Sequence, residues 1–139
     1  MDHIAILDPK RKLLSLILSG QKTIESRWYK TRRVPYGAIK PGDKIYFKDA
    51  GKKVSAVALA EKVLFFNHPT QSELNALLLK YADGICLKER NPRKYIQYNY
   101  ITLVFLKDAK PITPFDIDKT GFGNACAWLC LENVGEIRK

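Results

Sequence analysis

Three ionisable side chains lie close together near the start of the chain, at Lys22, Glu25 and Arg27. They belong to the segment 20–27, which reads G-x-K-x-x-E-x-R. Residues 22–28 include the β-branched and aromatic side chains typical of a strand, so Glu25 and Arg27 fall on one face, about 7 Å apart at their Cα atoms. The Lys22 side chain, at the start of this strand, is long enough to fold towards the same cleft.

This group of side chains is suited to binding a nucleic acid. A carboxylate between two cations can orient them and can accept a hydrogen bond from a base amine or a sugar hydroxyl, while either cation holds a phosphate. If the protein is an enzyme, Lys22 and Glu25 are the residues to which we assign catalysis. The alternative is an ordinary exposed ion pair between Glu25 and Arg27, which contributes little to stability.

The segment 28–36 mixes aromatic and basic side chains. Aromatic rings stack on unpaired bases while cations contact phosphates, which is how proteins usually bind single-stranded RNA. The alternative is a solvated loop in which Trp28 and Tyr36 pack inward. We predict that this segment supplies further ligand contacts from Trp28, Lys30, Arg32 and Arg33.

A glycine-containing segment near the end of the chain is another candidate for ligand contact. Main-chain N–H groups in such a segment can surround an anion, so Gly121, Phe122 and Asn124 are predicted to contact the ligand. It could equally be a tight turn that places Phe122 in the core. Two basic clusters have less certain roles. For residues 10–12 a solvated helix turn is favoured. For residues 88–95, contact with a nucleic-acid backbone and plain surface are equally good interpretations.

Composition limits the classes of function. The chain has 24 Lys and Arg residues against 14 Asp and Glu residues, and its net charge of +10 favours polyanionic partners. His3 and His68 are far apart and the three cysteines lack metal-type spacing, so we predict no metal, no cofactor and no disulfide framework. No apolar run is long enough to span a membrane and no signal peptide is recognisable, so we expect a cytoplasmic protein.

Turn signals divide the chain into short strands and two or three helices. Asp8 is a good N-cap for a helix over residues 9–19, which Gly20 closes. Thr70 and Glu73 form a capping box at the start of a second helix. The helices do not alternate regularly with strands, which indicates an α+β fold with a mixed, curved sheet. The predicted strands cover residues 4–7, 22–28, 44–48, 54–63, 100–106 and 125–131.

The order of these features resembles the ASCH domain family. Residues 16–27 match the family's signature, residues 41–45 resemble its Gly-Asp turn into a strand, and residues 121–128 resemble its glycine loop into the last strand. With no linker in the sequence, the resemblance predicts a single ASCH domain over residues 1–139. It implies a PUA-like mixed β-barrel of about six strands with two or three flanking helices. It also implies a cleft lined by Lys22, Glu25 and Arg27.

The resemblance further implies a function. ASCH domains are generally thought to bind RNA, so we expect an RNA- or nucleotide-binding module whose partner is single-stranded or structured RNA, a nucleoside or a nucleotide. One similar branch removes the acetyl group from acetylated cytidine, with a catalytic lysine at the position of Lys22 and a threonine at that of Glu25. This chain departs from that branch by having Glu25 at this position, so the amidohydrolase is the alternative and the binding module is the leading expectation. A metal-independent ribonuclease that uses Lys22 and Glu25 as an acid/base pair is a third possibility. A fourth is an adaptor whose basic surface binds an acidic protein partner.

Overall fold

The computed structural model describes residues 1–123 and 126–139. Within these ranges, the sheet strands are β1 (Asp2–Leu7), β2 (Ile24–Tyr29), β3 (Lys44–Asp49), β4 (Val54–Asn67), β5 (Tyr100–Phe115) and β6 (Trp128–Leu131). The helices are α1 (Leu13–Leu18) and α2 (Gln71–Ile85), with short 3₁₀ turns at Pro9–Arg11, Pro92–Lys94 and Val134–Glu136. None of the helices in these ranges has the length and apolar character required to cross a bilayer.

The six strands form one curled sheet in the order β2-β5-β4-β3-β1-β6. The β1–β3 pair is parallel, and the other neighbouring pairs are antiparallel. The sheet is a half-barrel, and β2 and β6 are its two edges. The predicted α+β class and PUA-like architecture are therefore confirmed, with six strands and two α-helices.

The concave face of the half-barrel encloses the main core. Alternate alanines within residues 56–60 of β4 are buried, and their small side chains leave room for Phe47 and Trp128. The helix α1 covers this core with Leu13 and Ile17. This packing brings the C-terminal end of α1 next to the start of β2, where the candidate site begins.

The convex face is covered by α2, which packs against β2 and β5. The predicted capping box is present, with Thr70 and Glu73 each satisfying a main-chain N–H of the other. The C-terminal end of α2 approaches β2 closely, since a Cβ atom on Gly84 would lie 2.8 Å from Cδ1 of Ile24. The Gly84 carbonyl accepts a hydrogen bond from the Thr23 N–H at 2.9 Å. Because glycine has no side chain, α2 can approach the start of β2 closely enough to form this hydrogen bond.

The predicted first helix is interrupted. Asp8 caps only the 3₁₀ turn, and Lys12 then adopts a left-handed conformation with a φ of 54°, so α1 starts at Leu13. The next difference is in β4, which continues past the predicted end at residue 63 to Asn67 because β5 pairs with it over that length.

The strand β5 is also longer than predicted, because Pro111 and Pro114 do not end it. Among the described residues, β4 is its only sheet neighbour beyond Phe105, because β2 pairs with β5 over Tyr100 to Phe105. A proline in an edge segment can leave its missing N–H on the unpaired side, so the strand continues. The last strand begins at Trp128, and its predicted start at Ala125 lies outside the described residues.

Candidate functional site

The junction between α1 and β2 buries Lys22, which is 3% exposed. Its main-chain N–H donates to the Leu16 carbonyl, so the turn after α1 fixes the lysine backbone. Its Nζ donates to two carbonyl oxygens, those of Ile24 and Ile85, both at 2.8 Å. The ammonium group therefore joins the start of β2 to the last residue of α2.

Glu25 is the central side chain of the site and is also 3% exposed. Its Oε1 accepts from the Ser26 N–H at 3.0 Å and lies 3.5 Å from Nζ of Lys22. Its Oε2 lies 3.5 Å from Nη2 of Arg27 but has no hydrogen-bond partner among the described residues. Burial alone would raise the pKa of Glu25, but the charges of Lys22 and Arg27 outweigh it and hold that pKa below its ordinary value.

Arg27 bridges the gap between the two ends of the half-barrel. Its Nη1 donates to the Ala127 carbonyl at 3.2 Å, and its Nη2 donates to the Ile6 carbonyl at 3.3 Å. Its Cζ also lies 5.1 Å from the centroid of the Trp128 ring. The guanidinium group on β2 thus contacts β1, the start of β6 and the residue before it.

A cleft opens at this gap, and we refer to it as the seam cleft. Its larger part is a cavity of about 360 Å³, and its smaller part is a cavity of about 140 Å³ that includes Lys22. The two parts share five lining residues and therefore adjoin: Arg11, Leu13, Glu25, Ser26 and Trp28.

One wall of the seam cleft is aromatic. The Trp28 ring packs against Tyr95 and Tyr98, with centroid distances of 4.5 and 6.3 Å, and its Nε1 donates to Oγ of Ser26 at 2.9 Å. Burial and then the charge of Glu89 raise the pKa of Tyr95, so this phenol stays neutral and presents a polar, uncharged edge.

The sequence-predicted residues divide into two groups in the structure. Lys22, Glu25, Arg27 and Trp28 line the seam cleft, whereas Lys30, Arg32 and Arg33 are exposed and do not line it. Two of these cations lie over aromatic rings: Arg32 over Tyr36 and Arg33 over Tyr29, each with Cζ 5.0 Å from the centroid. Tyr29 itself lines the cleft, so Arg33 lies just beyond its rim.

The glycine segment near the end of the chain is placed elsewhere. Phe122 packs with Phe115, Leu129 and their neighbours in a separate hydrophobic cluster. Gly121 is exposed in the turn beside it, where its φ of 93° suits glycine. Neither residue lines the seam cleft, and Asn124 lies outside the described residues.

Several residues of the cleft were not predicted as site residues. The sequence favours a solvated helix turn for Arg11, yet this residue lines both parts of the cleft. Tyr29 is predicted only as part of the mixed segment, Tyr95 ends the second basic cluster, and Tyr98 follows that cluster. Aromatic and basic residues that are close together in the sequence are the feature by which these segments can be recognised. Only the fold shows that the segments lie next to one another at the cleft.

A metal centre is not evident in the described ranges, where no three His, Cys, Asp or Glu side chains are grouped closely enough to hold an ion. The side chains that the cleft itself presents are a buried carboxylate, its two cations and the aromatic wall.

Comparison with known proteins supports the architecture. No family model and no curated protein matches the sequence. Among solved structures, a tyrosine-to-phenylalanine mutant of an ASCH protein from Zymomonas mobilis superimposes with a TM-score of 0.71 at 23% identity, covering 97% of this chain and 93% of that chain. This chain has the ASCH fold. The crystal structure of ASCH from Zymomonas mobilis aligns with a TM-score of 0.69 at 24% identity, covering 94% of this chain and 87% of the other.

A serine-to-alanine mutant from the same organism aligns with a TM-score of 0.71 at 24% identity, covering 97% of this chain and 91% of that chain. The ASCH fold was predicted from the G-x-K-x-x-E-x-R segment and its surroundings, and these superpositions confirm it. The lysine, glutamate and arginine of that segment are the residues gathered at the seam cleft.

Proposed function

We propose that this chain is an ASCH domain that binds RNA and holds one nucleotide in the seam cleft. The observation that carries the proposal is Oε2 of Glu25, a buried carboxylate oxygen in the cleft wall without a hydrogen-bond partner among the described residues. A buried acceptor that has a charged neighbour but no hydrogen bond still costs free energy, which a ligand N–H would recover. The exocyclic amines of cytosine, adenine and guanine are donors of this kind.

The charge state of Glu25 favours a donor ligand. Because Lys22 and Arg27 lower its pKa against the effect of burial, the carboxylate is ionised at neutral pH and acts only as an acceptor. The Lys22 ammonium donates its hydrogen bonds to main-chain carbonyls. Its role in this proposal is therefore to hold the Glu25 carboxylate in place and in its ionised form. The base amine then supplies the remaining partner of the carboxylate.

The rest of the cleft is suited to a nucleotide. Its larger cavity of about 360 Å³ falls in the range of about 300 to 1,000 Å³ usual for ligand pockets. Trp28 and Tyr98 offer aromatic surface to a base, and Arg11 at the mouth offers a guanidinium to a phosphate. Arg11 forms no ion pair with a carboxylate of the described chain, so it is available for such a contact.

The proposal is tested by titrating the protein with cytidine and uridine monophosphates at low salt. Cytidine monophosphate should bind about tenfold more tightly, because only cytosine has an exocyclic amine for Glu25 and a hydrogen bond to a charged group is worth about 1.5 to 3 kcal/mol. The Glu25→Gln variant should lose this preference, whereas the matched Glu132→Gln variant, at an exposed glutamate, should keep it.

A short single-stranded RNA should also bind. Its affinity should fall steeply with added salt, because basic side chains that contact the phosphates release bound counterions and added salt opposes that release. Circular dichroism and urea unfolding of Glu25→Gln establish that the variant is folded before its binding is interpreted. Equal affinity for the two monophosphates in the wild-type protein, or an RNA affinity that is flat between low and moderate salt, would contradict the proposal.

An amidohydrolase acting on acetylated cytidine is the second candidate. It is favoured by one observation: Lys22 and Glu25 line the same cavity with Nζ and Oε1 3.5 Å apart, close enough for proton exchange after a small movement. It ranks second because Nζ of Lys22 already donates to the Ile24 and Ile85 carbonyls. To act as a general base or nucleophile, Lys22 would have to break these hydrogen bonds.

Incubation with acetylated cytidine, followed by chromatography, tests the hydrolase directly. Release of acetate by the wild type and not by Lys22→Ala would support it, and no release by either would remove it for this substrate. Labelled RNA incubated without added metal tests the ribonuclease that the same pair of residues would require.

A further inference from the structure

A second aromatic surface lies beyond the end of the seam cleft. Tyr36 packs against Phe65 and Tyr100, with centroid distances of 5.1 and 5.0 Å, and His68 packs against Tyr100 at 5.4 Å. We call these four rings the aromatic shelf. Phe65 is 39% exposed although it lies within a paired strand, whereas its strand partner Thr102 is 1% exposed. The shelf therefore presents aromatic surface to solvent instead of closing the core.

The shelf continues one face of the seam cleft. Tyr29, which lines the cleft, is the register partner of Tyr100, and Thr102 is the partner of both Arg27 and Phe65. Side chains alternate along a strand, so these positions lie on the same face of the sheet as Glu25. A ligand leaving the cleft past Tyr29 would meet the shelf next.

Cations surround this path. Arg32 lies over Tyr36 and Arg33 over Tyr29, each at 5.0 Å from the ring centroid, and Lys30 is exposed nearby in the same segment. None of the three forms an ion pair with a carboxylate of residues 1–123 or 126–139. Aromatic faces with unpaired cations beside them match the alternating bases and phosphates of a single strand.

We propose that the aromatic shelf stacks the base that follows the nucleotide in the seam cleft, so that the ligand is a single-stranded RNA segment of at least two nucleotides. This inference rests on the proposed function of the cleft. Lys30, Arg32 and Arg33 contact the connecting phosphates, and the shelf contributes affinity with little base preference, since every base has a face that stacks. An acidic protein segment would satisfy the cations but would leave the exposed rings unused.

The test compares cytidine monophosphate with the cytidine trinucleotide by isothermal titration at fixed salt. The wild type should bind the trinucleotide at least about fivefold more tightly than the monophosphate, from stacking of one or more bases. Phe65→Ala, and separately the Arg32→Gln/Arg33→Gln pair, should abolish most of this gain and leave monophosphate affinity within about twofold. Leu79→Ala and the Lys80→Gln/Lys139→Gln pair, which change exposed residues elsewhere, are the matched controls.

The outcomes separate the shelf from the cleft. If the wild type binds both ligands equally, or if the shelf variants keep the full gain, the shelf proposal is overturned while the cleft proposal stands. If the wild type binds neither ligand, the cleft proposal fails and the shelf proposal fails with it. Polyglutamate that competes as strongly as the trinucleotide would show a merely electrostatic surface and overturn the shelf. The arginine pair is exposed, so its variant tests the proposal even if Phe65→Ala is poorly folded.

Discussion

The indole N–H of Trp128 donates to Nδ1 of His3 across 3.0 Å, in the buried floor of the half-barrel. His3 is fully buried, and its Nε2 lies 2.9 Å from Oδ2 of Asp43. Because Nδ1 is an acceptor, the proton of the neutral ring lies on Nε2 and is donated to Asp43. Arg27 lies over the other partner, Trp128, so this buried histidine is two contacts away from the seam cleft.

This arrangement predicts that stability depends on pH through His3. Burial lowers the pKa of His3 below its ordinary value of 6.5, more than the hydrogen bond to Asp43 raises it. The unfolded chain therefore binds a proton at His3 before the folded chain does, and the free energy of unfolding should fall as pH falls below about 6.5. Urea unfolding at about pH 7 and pH 5.5 measures the change.

His3→Gln is the control for that pH dependence, since it removes the titrating ring and retains a donor and an acceptor. Its stability should change much less over the same interval. An equal loss of stability in this variant would assign the effect to other groups.

A second prediction concerns the stabilising role of Lys22. Lys22→Met should lower the free energy of unfolding by about 3 to 5 kcal/mol, because it leaves the buried carboxylate of Glu25 with one cation and leaves two carbonyls without their donor. Lys80→Met, at an exposed lysine on α2, should change it by less than about 0.5 kcal/mol. Equal stability of the two variants in urea would show that the ammonium does not hold the junction together.

A third prediction concerns the close contact between α2 and β2. Gly84→Ala should destabilise the protein by about 1 to 2 kcal/mol, because the new methyl group would meet buried Ile24 at 2.8 Å and Thr23 Oγ1 at 3.1 Å, which outweighs the better helix propensity of alanine. Ile24→Val removes the contacting Cδ1 atom and should recover part of the loss in the double variant. Additive free energies in this double-mutant cycle would contradict the steric explanation.

A fourth prediction assigns a phosphate contact to Arg11. Arg11→Gln should weaken binding of every RNA sequence by a similar factor and reduce the slope of log affinity against log salt by about 1, with unchanged stability. Lys10→Gln is the matched control, since Lys10 is also exposed, lies next to Arg11 in the chain, and does not line the cleft. An identical salt slope for wild type and Arg11→Gln would remove the phosphate contact.

The sequence predicted the parts of this site that depend on local order. Strand alternation placed Glu25 and Arg27 on one face, and the ASCH resemblance placed Lys22 beside them, as the ion pairs show. It also predicted the capping box of α2 and the six-stranded mixed sheet. These features follow from spacing and from side-chain preference within a few residues.

The parts that depend on distant contacts were not predictable. The carbonyl of Ile85 meets Lys22 from 63 positions away, and the Ala127 carbonyl meets Arg27 from 100 positions away. Arg11 lines the cleft from a 3₁₀ turn that is separated from α1 by the left-handed Lys12, where the sequence predicted a continuous helix. Single-sequence patterns contain no information on such long-range pairings.

The side chains of the site also bear on self-association of the protein through an edge strand. β2 is an edge strand, and an edge strand with free main-chain groups is a template for intermolecular strand pairing and aggregation. Lys22 takes up the Ile24 carbonyl and Glu25 takes up the Ser26 N–H, so two groups on this edge are already occupied by side chains. The side chains of Lys22 and Glu25 therefore cap part of the free edge of β2, and replacing them would leave two more main-chain groups open to pairing with another copy of the chain.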